Sequence, residues 1–192
     1  IEVAHRHGLP VLSHFLRPAS VAAGLDRKEH TLYFGLNERL FPSFAQDTIE
    51  ILRKADISIS STIVTYFIGS SEGQIRFKAA LAQADVADFL LPSHAERLRK
   101  SAEGPSSANR TALMDRFIQV YLANIMAAHK AGIRIIAGTD VFFLPHGLHW
   151  DLELLVRAGL SPLEALRTAT SNAAVALGLE GRLGCIAPAA AA

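Results

Sequence analysis

Apolar positions fall into short unbroken runs and longer stretches of helical period, and the way these alternate predicts an α/β fold. Residues 1–7 read as the last turns of a helix closed by Gly8, and residues 10–14 as a short strand ending on His14. Residues 17–25 carry a small-residue segment that ends at Gly24 and leads to Asp26-Arg27-Lys28-Glu29-His30. Residues 45–55 space Ile49, Leu52 and Ala55 along one helical face, and Ile57-Ser58-Ile59-Ser60 then alternates as a strand does. Residues 132–140 form the strongest signal: a run rich in β-branched residues, suited to a strand covered on both faces, ending in Gly138-Thr139-Asp140.

The stretches between these strands read as follows. Residues 63–73 are mixed and aromatic, residues 74–91 look helical, and residues 92–109 are polar with a loop at 104–107. Residues 111–130 predict a long helix with Leu113, Phe117, Val120, Tyr121, Ile125 and Ala128 inward. After Asp140 a helix is expected over 151–158. Ser161, Pro162 and Glu164 then supply a capping box and a first-turn proline for another. Leu163, Leu166, Thr170, Ala173, Ala174 and Leu177 form the expected inner stripe of that last helix.

Candidate chemistry gathers at the strand ends. Asp140 follows a strand directly, where a carboxylate can take a proton from water, bind a metal or cap a turn. His146 and His149 lie on the loop beyond it, and Ser61-Thr62 places two hydroxyls after another strand. His5-x-His7-Gly8 has the look of a metal motif, but its place at a helix end argues against that.

From Ala131 to Pro188 the text resembles the amidohydrolase superfamily, near the imidazolonepropionases and metal-dependent dipeptidases. The resembling segments are 131–140, His146-Gly-Leu-His149 with the following Leu-Glu-Leu-Leu, 158–166, 169–174 and Gly184-Cys-Ile-Ala-Pro188. The resemblance extends back to His14 at the end of a strand and to Gly24-Leu25-Asp26 followed by Glu29-His30. It implies the second half of a (β/α)8 TIM barrel, strands five to eight, with residues 74–110 as a helical and loop insertion. Residues 1–188 would form this half and 189–192 an uninformative tail. It further implies that His14, His30 and Asp140 bind a divalent metal, zinc first, with manganese, cobalt and iron as alternatives. Asp140 would act as general base in hydrolysis of a C–N bond in a dipeptide, cyclic amide or acylated amino acid. The position of the loop after that strand makes His146 or His149 a candidate for substrate contact, the alternative for His149 being that it only begins the helix. Two departures stand out: Arg27-Lys28 occupy positions that are usually small or apolar, and Thr31 stands where glycine is common.

Composition narrows the alternatives. The 192 residues are 50% hydrophobic with a formal net charge of +1, enough for a large core and no reason to expect nucleic acid or an anionic membrane as partner. Cys185 is the single cysteine, which rules out a disulfide within the chain. No apolar run reaches the roughly 18 residues of a membrane span. No Gly-rich loop with a lysine suggests phosphate binding. Ile1 opens inside a structural pattern, so the expectation is part of a longer chain, or a chain that pairs with another copy or a partner carrying the missing strands. The competing function class is a non-catalytic barrel segment with structural histidines.

Overall fold

Among the described residues four short strands, β1 (Leu12–Ser13), β2 (Arg27–Glu29), β3 (Ser58–Ser60) and β4 (Ile135–Ile136), pair in parallel in the order β1-β2-β3-β4. The coordinates are those of a computed structural model, which describes residues 1–30, 46–83, 90–103, 107–140, 146–188 and 190–191. Thr31, Ala45, residues 84–89 of the stretch expected to be helical, and residues 104–106, 141–145, 189 and 192 lie outside the described residues.

Parallel neighbours need a crossover, and helices supply it. Between β1 and β2 runs α2 (Pro18–Ala22), preceded by α1 (Glu2–Arg6), and between β2 and β3 runs α3 (Gln46–Lys54). Among the described residues, four helices lie between β3 and β4: α4 (Ile63–Phe67), α5 (Ser71–Leu81), α6 (Pro92–Glu103) and α7 (Ala108–Lys130). Three follow β4: α8 (Gly147–Arg157), α9 (Pro162–Ala169) and α10 (Ser171–Ala176). The register, Leu12 with Arg27, Lys28 with Ile59 and Ser60 with Ile136, brings the C-terminal ends of all the strands to one edge. Sequential parallel strands with helical crossovers are what consecutive units of a (β/α)8 barrel produce, so the expected fold class holds.

Two apolar clusters hold the helices to the sheet. The larger joins Ile63, Val64 and Phe67 of α4 to Phe117, Tyr121 and Ile125 of α7, and to Trp150, Leu154 and Leu155 of α8. The smaller packs Leu25, Leu52, Ile57, Ile59, Ala128 and Ile133 together. The inward face expected for the long helix is therefore present, with Met114 and Ile118 added to it. None of the described helices is long and apolar enough to cross a membrane.

Several expectations need correction. Residues 63–73, to which the pattern assigns no element, contain α4 and the start of α5. The polar stretch from residue 92 is helical to Glu103, with Ala95 as its buried contact and His94 half-buried. Helix α8 begins at Gly147, ahead of the expected residue 151. The stripe assigned to the last helix is wrong in part, because the backbone breaks at Thr170 (φ −125°, ψ −96°) and divides it into α9 and α10. Leu163, at 59% exposure, Leu166 and Leu177 face outward, while the smaller Ala165, Thr168 and Ala174 make the close approach to the core. The capping box is formed as expected: Ser161 Oγ accepts from Glu164 N, and the Glu164 carboxylate accepts from Ser161 N at 2.7 Å.

The outer edge of β4 is not left bare. Asn172 Nδ2 donates to Ile135 O at 2.9 Å, and Ala137 N donates to Thr168 O at 3.1 Å. Two of the strand's outward backbone groups are thereby satisfied by the helices that follow it, which is one way a sheet edge is protected.

Candidate active site

Each strand delivers one polar residue to the shared C-terminal edge. His14 comes just after β1, His30 after β2, Thr62 after β3 and Asp140 after β4. Three of them, His30 (φ 59°), Thr62 (φ 48°) and Asp140 (φ 50°), have left-handed backbone. Asp tolerates this region, whereas a β-branched threonine is a true outlier there and is held by its surroundings. Turning the chain left-handed at the strand end aims these side chains back over the edge of the sheet.

The sequence-predicted ligands do come together. The rings of His14 and His30 have centroids 5.0 Å apart, and Nε2 of His30 lies 3.9 Å from Oδ2 of Asp140. His30 is buried, whereas His14 is exposed and the Asp140 side chain is 60% exposed. His30 Nδ1 is hydrogen-bonded to Thr62 Oγ1, and Tyr66 of α4 stands edge-on to the ring at 6.3 Å. Burial, the largest influence, pushes the His30 pKa below its usual value; the Asp140 carboxylate opposes this, and His14 and Lys28 reinforce it. In the tautomer whose Nδ1–H donates to Thr62 Oγ1, a neutral His30 would offer Nε2 as a metal-binding nitrogen.

The unusual cations of β2 have distinct partners. Arg27 Nε donates to Glu29 Oε1 at 2.7 Å, so the pair is neutralised within the strand. Lys28 folds back on the backbone, donating from Nζ to the carbonyls of Glu29 at 2.5 Å and His30 at 3.0 Å. Burial lowers its pKa to about 8. Its contact with the His30 carbonyl ties down the left-handed turn that presents the imidazole.

The donor chemistry of His14, His30 and Asp140, two imidazoles and a carboxylate, fits a divalent cation. The spacing is more open than a closed site: among the described residues no three His, Cys, Asp or Glu side chains form a group that could hold an ion. His146 is the residue before α8, half-buried, and its Nδ1 is buried without a hydrogen-bond partner among the described residues. His149 lies in the first turn of α8 and is exposed. His5 and His7 sit at the end of α1, with His5 Nε2 2.8 Å from Asp26 Oδ2, and the period-two geometry of a strand motif is absent.

Sequence reasoning missed Asp151. It reads as an ordinary helix-start aspartate, yet it is 0% exposed beneath the ends of β3 and β4. Its carboxyl accepts from Val64 N at 3.2 Å, Ser61 Oγ at 3.4 Å and Gly138 N at 3.4 Å. These bonds are long, and burial outweighs them, pushing the Asp151 pKa up to about 7. An Asp opening an apolar helix stretch was the available signal, but its partners are far away in sequence.

Comparison with known proteins bears on the fold and the family. Solved structures with similar folds include a prolidase complexed with N-methylphosphonate-L-proline, at 18% identity and a TM-score of 0.64, covering 99% of this chain and 38% of that one. A putative prolidase from Bifidobacterium longum has 24% identity and a TM-score of 0.58, with 95% and 39% covered. A Xaa-Pro dipeptidase with bound methionine has 19% identity and a TM-score of 0.59, with 97% and 38% covered. The chain thus spans less than two fifths of the length of these proteins. No curated protein matches it. The model of the amidohydrolase family matches residues 1–192, and the chain belongs to that family.

Proposed function

We propose that the chain is part of the catalytic barrel of a metal-dependent hydrolase that cleaves a C–N bond in a dipeptide, a cyclic amide or an acylated amino acid. The observation that carries this reading is the approach of His14, His30 and Asp140 over one sheet edge. Membership of the amidohydrolase family, and the prolidases and Xaa-Pro dipeptidase among the similar folds, support an amide or peptide bond as target.

His14 and His30 would hold the cation through imidazole nitrogens, and Asp140 through a carboxylate oxygen; zinc suits such donors best. When bound, the metal supplies a water of lowered pKa, towards about 7, and polarises the scissile carbonyl. Asp140, exposed beside His30, takes the proton of the attacking water and returns it to the departing nitrogen. Thr62 keeps the His30 ring in one orientation through Nδ1. His146, whose Nδ1 has no hydrogen-bond partner among the described residues, and the exposed His149 are the candidates for substrate contact. Further ligands come from the remainder of a longer chain or from a second copy.

The test is to purify the full-length protein, measure its metal content, and assay Xaa-Pro dipeptides and N-acyl amino acids. The expected result is close to stoichiometric metal and hydrolysis that chelation abolishes and zinc restores. Protein that binds no divalent cation and leaves every amide intact would favour a non-catalytic barrel with structural histidines.

A further inference from the structure

Asp151 lies under the site without touching it. Through Oδ1 it accepts from Ser61 Oγ and Val64 N, and the Ile63 N–H also bonds to its carboxyl; these residues flank Thr62 on both sides. Thr62 is left-handed at φ 48°, and its own side chain caps nothing in α4, so Asp151 satisfies that helix's first N–H groups from a different helix. Through Oδ2 it accepts from Gly138 N, two residues before the left-handed Asp140. A second tie runs across the same gap, from Thr65 Oγ1 to Thr139 O at 2.6 Å. The ends of β3 and β4 are also close enough that a Cβ on Gly138 would stand 3.2 Å from Thr62 Cγ2.

We propose that Asp151 is a positioning residue, a buried carboxyl that locks the strained ends of β3 and β4 so that Thr62 orients His30 and Asp140 faces the same ring. The reason is geometric. A β-branched residue leaves left-handed backbone readily unless neighbouring groups over-determine it. Here one carboxyl grips the residues before and after Thr62, and the same carboxyl fixes the turn that carries Asp140. An ordinary helix cap would grip only one of these segments.

The test uses the full-length protein and the ring nitrogen signals of His30 by 15N NMR, with Asp151→Asn as the variant. Asparagine keeps the size but turns a donor towards at least one of the N–H groups. The expected result is a changed His30 Nδ1 signal, reporting a loosened Thr62 contact, and zinc affinity about tenfold weaker, the scale of a disturbed outer-shell partner. The kinetic consequence, kcat down about tenfold with KM little changed, rests on the hydrolase reading above, whereas the histidine signal does not. Asp151→Asn should add nothing to the His30 change produced by Thr62→Ala, because both act through the same hydroxyl. If Asp151→Asn does not fold, Ser61→Ala replaces it with the same readings. A lowered melting temperature with the His30 signal and zinc affinity unchanged would overturn the proposal. A shifted His30 signal in a protein that cleaves no amide would leave it standing and overturn the hydrolase reading instead.

Discussion

Nε2 of His30 and Oδ2 of Asp140 face each other at 3.9 Å across the end of the intervening strand β3. Two donors bonded to one zinc at about 2.0–2.2 Å each would lie slightly closer than this, so a small inward movement of the exposed Asp140 suffices to share an ion with His30. The same separation lets Asp140 accept a proton from a water between them. Asp140→Asn keeps the shape and loses the proton acceptor. In the full-length enzyme kcat should fall at least about 100-fold, with metal partly retained by the histidines. Turnover near that of the parent would reduce Asp140 to a turn residue.

Gly138 tests how closely the ends of β3 and β4 must fit. Its backbone is not among the left-handed positions, so an alanine is conformationally acceptable there. The added methyl would nonetheless stand 3.2 Å from Thr62 Cγ2 and push that residue by a few tenths of an ångström. Thr62 is bonded to His30, so the displacement passes directly to the site. Gly138→Ala should lower activity about tenfold. Thermal unfolding should shift by only a few degrees, the response to about 1 kcal/mol. An equal fractional loss of folded protein and of activity would show that the contact matters for stability alone.

The convergence of the candidate residues was legible in the sequence wherever a strand end and a polar residue coincide locally. His14, His30 and Asp140 each follow a short apolar or family-like segment, and the structure brings all three to one edge. Asp151 was not legible because its partners, Ser61, Val64 and Gly138, sit on other elements, and no local period encodes burial under two strand ends. Helix α6 escaped notice for the opposite reason: its face offers little beyond Ala95 to bury, so it lacks an apolar stripe. The leucines of α9 misled because the helix turns the small Ala165 and Thr168 inward and leaves Leu163 and Leu166 exposed. Strand lengths were overestimated too, since the paired segments are only the central residues of the predicted runs.

Asp151 also makes a prediction about pH. Its pKa is raised from 3.8 to about 7 by burial, so the unfolded chain gives up this proton before the folded one does. Its contribution to stability is therefore fully present below about 4 and is lost as pH rises through 7. Asp151→Asn removes that dependence. The melting temperature of the variant relative to the parent should rise steadily between pH 4 and 7 and level off above. A constant difference across this range, measured by thermal unfolding at several pH values, would mean that the carboxyl titrates alike in both states.

The two margins of the sheet differ in how well they are protected, and this predicts where the chain associates. At β4 the outward groups of Ile135 and Ala137 are taken up by Asn172 and Thr168. Among the described residues β1 pairs on one side only, with β2. Beside that open margin Leu12 and Phe15 are each 47% exposed, and among the described residues it carries no capping side chain like Asn172. A strand edge with exposed apolar neighbours is a template for pairing with further strands, whether from the rest of a longer chain or from a second copy. Residues 1–192 expressed alone should therefore oligomerise, and they should do so through β1. Leu12→Lys places a charge on that edge and should shift the population towards monomer in size-exclusion chromatography with light scattering. Asn172→Ala should do the reverse, opening the β4 margin and increasing association. A chain that is monodisperse and monomeric, with neither substitution changing its mass in solution, would show that the β1 edge does not drive association.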